Sequence, residues 1–550
     1  MNPRRLFVAS CMALITSAFS FQIRGNIADP LGADFLLTKS EVGAVMGAAF
    51  LGMALAMLLV APLCDYLGMK RVLFLAWTCH LVGILGTIFA PKHPNVSQLM
   101  SYWMLWLATL LVGAGNGLVE IAINPLAATL YPTQKTHYLN VLHAWWPGGL
   151  IISGLMAIYL IDPLMGLKAD DVSRETASLG WKVKMALLLV PLAIYGIMIV
   201  GQRFPDTERV QANVSTGEMF LEALRPMFLL WAFCMLLTAS SELGPNQWQE
   251  SVLTRTARVE GTLVFVYTSG LMFVMRFFAG PLAHRLSPVG MLMAASVLTA
   301  IGLYWLSFVN TPIMAFVAAT VFGIGIAYFW PTMLGVTAER FPKGGALLLG
   351  LMGCFGNLAI SQALPLMGGI YDSYTVANIP PALRGKAFVQ ADGQPMVDLS
   401  GKPLVQTVKD ASGATVTEPL TLVKTEEPGW LPNVISSHIY PAGSKKLDPD
   451  AQKVLDNARA LVKKDQEGKL KSTPENRQEL QRANELLQSF NLNEIDQAEA
   501  VGAAYAYRWV AVLPCILVFI FGSIALADRL RGGYKAVHIH EVAEPKKLMA

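Results

Sequence analysis

The run Val112-Gly113-Ala114-Gly115-Asn116-Gly117-Leu118-Val119-Glu120-Ile121-Ala122-Ile123-Asn124-Pro125 decides the fold. It lies inside an apolar stretch near 100–131, longer than the roughly 20 residues a helix needs to cross a bilayer. Asn116, Glu120 and Asn124 recur at i, i+4 and i+8, which places them in one polar stripe on an otherwise apolar helix. Gly113, Gly115 and Gly117 leave room for a neighbouring helix to approach closely. Burying a carboxylate in lipid is expensive, so an ionisable residue inside a span marks function by default. Two readings of Glu120 follow: a hydrogen bond across a helix interface, or a carboxylate that exchanges a proton as water access changes.

Working outward, similar runs lie near 6–29, 41–64, 72–90, 140–161, 182–201, 224–243, 261–283, 289–308, 312–336, 345–370 and 505–527. With the first they make twelve candidate spans. The composition agrees: of 550 residues, 54% are hydrophobic and 15% charged, and mean hydropathy is +0.47. Soluble domains carry about 25% charged residues, so a soluble enzyme, a disordered chain and a nucleic-acid binder are all disfavoured. The net charge of +4 is too small to imply a polyanionic partner. Cys11, Cys64, Cys79, Cys234, Cys354 and Cys515 all sit in apolar runs and are expected to be free thiols. Arg4-Arg5 before an apolar run resembles a signal peptide. No small-x-small cleavage site closes it, so it reads as an uncleaved first span.

Basic residues in short loops set the orientation. Arg4, Arg5, Lys70, Arg71, Lys135, Arg203, Arg209, Arg225, Arg285, Arg340, Lys343, Arg529, Arg531 and Lys535 share one side, which predicts both termini in the cytoplasm of a bacterial inner membrane. A weak internal repeat supports the layout. Ala61-Pro62-Leu63-Cys64-Asp65 after the second span answers Gly280-Pro281-Leu282-Ala283-His284 after the eighth. Two six-span halves about a central site are a transporter architecture. The expected organisation is an N-terminal half over 1–202, a cytoplasmic linker over 203–222 and helices 7–11 over 223–372. An insert over 373–503, helix 12 over 504–530 and a cytoplasmic tail over 531–550 complete it.

Further polar residues fall within or beside the spans. Asn26 and Asp29 end the first at i, i+3, where Asp29 is either proton-linked or an ordinary interfacial acid. Asn140 and His143 open the fifth beside Trp145 and Trp146. Flat rings next to amide and imidazole groups suit a sugar, with an interfacial tryptophan pair as the plainer alternative. The second half offers Glu242, Asn246, Gln247 and Trp248, then Arg276, Tyr328, Trp330, Asn357 and Gln362, which could line one cavity or act singly as interhelical hydrogen bonds. No metal-ligand or nucleophile constellation and no phosphate loop is present. Neither an enzyme nor an ATP-driven pump is expected, and an ion gradient would drive uphill transport.

The arrangement resembles the major facilitator superfamily, and within it the fucose permease-like sugar–proton symporters. Asp65-x-x-Gly68-x-Lys70-Arg71 looks like the superfamily's signature loop, with Ala61 at its opening glycine. Asn26-x-x-Asp29, Glu120-Ile-Ala-Ile-Asn124-Pro125 and Asn140-x-x-His143 resemble the family's first-, fourth- and fifth-span patterns, His143 standing where Gln is more familiar. Tyr267-x-x-Gly270 with Arg276, Trp330-Pro331-Thr332 and Met367-Gly368-Gly369 resemble its eighth, tenth and eleventh. The resemblance implies an all-α membrane fold of twelve helices in two pseudo-symmetric halves that close alternately around a sugar. Glu120 and Asp29 would be proton-coupling. Asn26, Asn116, Asn124, Asn140, His143, Trp146, Glu242, Asn246, Gln247, Tyr328, Trp330, Asn357 and Gln362 would contact substrate. Asp65, Lys70, Arg71 and Arg276 would serve gating. Beyond the proton no cofactor is expected, and the partners are a sugar and membrane lipid around a monomer. A facilitator or exchanger for another small polar solute, or a sensor signalling through the insert, are the alternatives.

The insert carries 32 charged residues in 131, about twice the density of the rest. Alternation over 402–409 predicts strands. Helical spacing of Val454, Leu455, Ala458 and Leu461, and again of Leu480, Ala483, Leu486 and Phe490, predicts a helical hairpin on a small β-rich or irregular region. A spacer or cap at the outer mouth is its expected role.

Overall fold

The computed structural model describes residues 2–537, apart from 36–38, 93–94, 168–173, 212–214, 260, 391, 410–414, 426–437, 444 and 467–472. Among the described residues, eleven helices are long and apolar enough to span a membrane. A twelfth span is the bent pair Leu263–Phe277 and Ala279–Leu286, which meet at 64°. The twelve coincide with the runs expected from hydropathy.

Glycine controls how closely the first half packs. A Cβ on Gly113 would stand 2.0 Å from the Ala49 carbonyl oxygen, and one on Gly52 would stand 2.2 Å from that of Leu110. The helices Lys39–Val60 and Gln98–Leu130 therefore touch backbone to backbone. That contact carries the Asn116–Glu120–Asn124 stripe into the centre of the bundle.

Prolines set the irregularities. The tenth span breaks into Pro312–Ile326 and Phe329–Arg340, because Pro331 cannot donate to the Ala327 carbonyl four residues earlier. In the fourth span Pro125 frees the Ile121 carbonyl, and Cys64 Sγ lies 3.8 Å from it. Pro147 likewise frees the carbonyl of His143 in the fifth span, Lys135–Leu155.

The halves are clasped on the side that carries the termini. Lys135 Nζ donates to Glu208 Oε2 at 2.5 Å and to the Ala338 carbonyl at 3.2 Å. Thr136 Oγ1 donates to Glu339 Oε1 at 2.7 Å, and Tyr534 Oη donates to the other oxygen of that carboxylate at 2.5 Å. One buried carboxylate thus ties the first half, the second half and the C-terminal tail together. Burial, and then the Glu339 charge, hold the Tyr534 phenol well above its ordinary pKa, so it stays a donor.

Helix 11 runs to Asn378, beyond the boundary expected at 372, and helix 12 begins at Leu492 rather than 504. Both corrections have one cause. The added turns carry polar residues beside one buried face, which mean hydropathy does not register. Between them stand two antiparallel pairs, Val405–Lys409 with Thr415–Pro419 and Val423–Thr425 with Lys445–Leu447. The hairpin helices are Pro449–Gln466 and Pro474–Ser489, the second capped by Thr473. Their apolar faces share a core with Phe388, Met396, Leu404 and Leu422. Tyr440 anchors the insert to helix 11, donating to the Leu366 carbonyl at 3.2 Å.

Candidate functional site

A cavity of about 100 Å³ lies between the halves. An engineered cavity of roughly 150 Å³ holds one benzene ring, so this one, at about two-thirds of that, is scaled to at most a single small ring and excludes an oligomer. Its polar wall comprises Arg24, Asn116, Glu120 and His143 from the first half, facing Glu242, Asn246, Ser269, Arg276 and Asn357 from the second. Phe21, Phe50, Trp146, Phe265 and Trp330 supply the flat surfaces.

Glu120 is buried, and Asn124 Nδ2 donates to its Oε2 at 2.7 Å. Because that amide gives its nitrogen to the carboxylate, its Oδ1 faces His143 Nε2 at 2.9 Å and accepts from it. The same Nε2 lies 3.7 Å from Glu120 Oε2. The stripe on the fourth helix therefore forms one polar chain with the fifth. One turn back, Asn116 Nδ2 donates to Ser20 Oγ at 3.1 Å and its Oδ1 meets His80 Nε2 at 2.9 Å, which fixes the first, third and fourth spans around the cavity.

Arg276 serves both halves. Its Nε donates to the Ala327 carbonyl at 2.8 Å and its Nη1 to the His143 carbonyl at 2.5 Å. These are two of the proline-freed acceptors, one from each half. Its Nη2 lies 3.4 Å from Glu242 Oε1, so the guanidinium also neutralises the second buried acid. Arg276, expected to serve gating, stands in the cavity wall, where one fork reaches both broken helices.

The remaining expected residues divide. Asn116, Glu120, His143, Trp146, Glu242, Asn246, Trp330 and Asn357 come together on the cavity. Asn124 backs Glu120 without lining it. Asn140 Nδ2 donates to Thr332 Oγ1 at 3.1 Å across the clasp, and Tyr328 Oη donates to the Met275 carbonyl at 2.7 Å, so neither is in the wall. Gln362 is exposed away from the cavity. Asn26 is turned to the sixth span, where Lys184 Nζ donates to its Oδ1 at 2.7 Å. The side chains of Asp29 and Gln247 lie outside the described residues. In the loop after the second span, Asp65 accepts from Thr207 Oγ1 at 2.7 Å and Lys70 donates to the Gln202 carbonyl at 2.9 Å, while Arg71 is exposed. Sequence reasoning passed over Phe21, Arg24 and His80. For Arg24 and His80 the signal was present, since each is an ionisable residue inside an apolar run.

Comparison with known proteins bears on this geometry. A model of the Major Facilitator Superfamily matches residues 7–363. A cis,cis-muconate transport protein of Acinetobacter baylyi is 23% identical over 414 residues, covering 68% of this chain and 93% of its own. A gallate transporter of Pseudomonas putida is 24% identical over 417 residues, covering 68% and 88%. Among solved structures, the transporter FucP in its outward conformation superposes with a TM-score of 0.56 at 15% identity, over 66% of this chain and 91% of that one. Two six-helix halves around a polar cavity, with a family model matching most of the membrane body, lead to one assignment: this multi-pass membrane protein belongs to the major facilitator superfamily and has its transporter fold.

Proposed function

We propose that the protein takes up a small, ring-sized polar solute together with a proton, by alternating access. The observation that carries the reading is the cavity itself. It sits between the halves and holds one carboxylate, Glu120, hydrogen-bonded by the Asn124 amide, beside a second, Glu242, already paired with Arg276. The clasp of Lys135, Thr136, Glu339 and Tyr534 closes the terminal side, which the basic-residue bias assigns to the cytoplasm. Solute then enters from the side of the insert. Solute and proton bind to the same closed pocket and so bias the same equilibrium between the two access states, which is what coupling requires. Glu120 is the proton carrier in this scheme, and the protein works as a monomer of a bacterial inner membrane.

A monosaccharide suits the pairing of rings with amides. The relatives named for muconate and gallate favour an organic acid instead. Both are single-ring or ring-sized solutes, and one assay addresses both. Purified protein in vesicles with an imposed inward proton gradient accumulates its solute, and a protonophore abolishes the accumulation. Equilibration without accumulation contradicts the coupling and supports a facilitator.

A further inference from the structure

Resting on that reading, we propose that the solute is a ring monocarboxylate whose carboxyl group is held by Arg24, and that its charge is what the proton on Glu120 offsets. Arg24 sits in the first span, 7% exposed, and lines the cavity. Its Nε donates to the Ser20 carbonyl one turn back, at 2.8 Å. Its Nη1 is buried with no partner, and no acid pairs with it among the described residues. Arg276 is the contrast: each of its three nitrogens has an acceptor, and Glu242 balances its charge.

A buried guanidinium without a counter-anion is strongly destabilising. No side chain among the described residues takes its Nη1, so the geometry leaves that nitrogen to a negative charge supplied from outside. A fixed guanidinium fork matches a carboxylate in geometry as well as charge. A neutral sugar can accept hydrogen bonds from it but leaves the charge unbalanced. Phe21 lies one helical turn before Arg24, tilted against Trp146 with ring centroids 5.8 Å apart. A ring attached to the carboxylate would therefore meet aromatic faces beside the anchor.

Charge balance gives the coupling. With Arg24, Arg276, Glu120 and Glu242 all ionised, the cavity wall sums to zero. A carboxylate brings it to minus one, and one proton on Glu120 restores zero. The species carried is one carboxylate anion plus one proton, so transport is electroneutral.

A panel of ring acids (D-glucuronate, D-galacturonate, benzoate, 4-hydroxybenzoate) and their neutral counterparts (D-glucose, D-galactose, benzyl alcohol, 4-hydroxybenzyl alcohol) tests this by thermal shift and vesicle uptake. The expected result is that an acid raises Tm and its counterpart does not. A sugar acid or an aromatic acid as the active member tells which ring the pocket takes. Arg24→Gln weakens acid binding at least about 30-fold, while Arg24→Lys binds at an intermediate level. A membrane potential of either sign leaves the acid's uptake unchanged. Binding of a neutral member with unchanged affinity in Arg24→Gln, or of no acid in the panel, overturns the proposal. Acid binding that depends on Arg24 without proton-driven accumulation leaves the anchor standing and defeats the symport reading instead.

Discussion

Replacing Arg276 by Met should be among the most damaging single changes in the membrane body, for a reason that can be dissected. The side chain is buried and bridges Glu242, the Ala327 carbonyl and the His143 carbonyl. Removing it leaves a buried carboxylate unpaired, worth about 3–5 kcal/mol. It also orphans two carbonyls that proline has already deprived of their helix partners, at about 1–3 kcal/mol each. Glu242→Gln alone leaves the Arg276 guanidinium buried without its counter-charge, also about 3–5 kcal/mol, but keeps it capping both carbonyls, so its cost is smaller than that of Arg276→Met. In Arg276→Met/Glu242→Gln the unpaired charge is gone and only the carbonyls remain unsatisfied. Thermal unfolding of the three variants in detergent should therefore rank Arg276→Met lowest, with the double variant and Glu242→Gln both above it and both below the parent. A double variant no more stable than Arg276→Met would refute the role of the ion pair. A double variant as stable as the parent would refute the role of the proline-freed carbonyls.

Three further outcomes follow from the packing. Gly113→Ala drives a methyl group into the Ala49 carbonyl and should cost about 1–3 kcal/mol; an unchanged Tm would show that the second and fourth helices can separate freely. Tyr534→Phe removes one bond from the Glu339 clasp, so a cysteine placed at Thr133 should be labelled from the terminal side up to about fivefold faster, and equal labelling would exclude the tail from closure. Asp34, beyond the end of the first span, is the pH-sensitive site. Burial alone would raise its pKa, but hydrogen bonds from Lys92 at 2.5 Å, Ser178 at 2.6 Å and Trp181 at 2.8 Å bring it below the ordinary carboxylate value. A depressed folded pKa stabilises above the unfolded value, about 3.9, and that contribution fades as pH falls through the folded one. Asp34→Asn should thus lower stability by about 2 kcal/mol at pH 7 and by progressively less below pH ~4; a pH-independent difference would count against the network.

What could be read from the chain, and what could not, divides along physical lines. Twelve spans were legible because lipid imposes length and apolarity on each segment separately. The Asn116–Glu120–Asn124 stripe was legible because helical period is a local property. The bond from His143 to Asn124 was not, since it depends on the rotation of two helices about their axes. Pro147 and Pro331 announce two freed carbonyls, but only the tertiary fold shows that Arg276 reaches both. Asn26 reads as a cavity residue until Lys184 approaches it from the sixth span. Arg24 was visible as a charge within an apolar run and was passed over for the acid five residues later. In the insert, alternation and 3.6-residue spacing located the strand at Val405–Lys409 and both hairpin helices. The extensions of helices 11 and 12 escaped a hydropathy reading because polar residues, several of them buried, interrupt the apolar run in each.

The central claim is that Glu120 carries the coupled proton, and Glu120→Gln tests it most directly. The substitution keeps shape and hydrogen-bonding length while removing the exchangeable charge. In vesicles loaded with whichever solute the parent accumulates, the variant should exchange labelled for unlabelled solute across the membrane. It should fail to concentrate that solute under an imposed proton gradient, giving an internal-to-external ratio near one. A variant that concentrates the solute as the parent does would contradict the account.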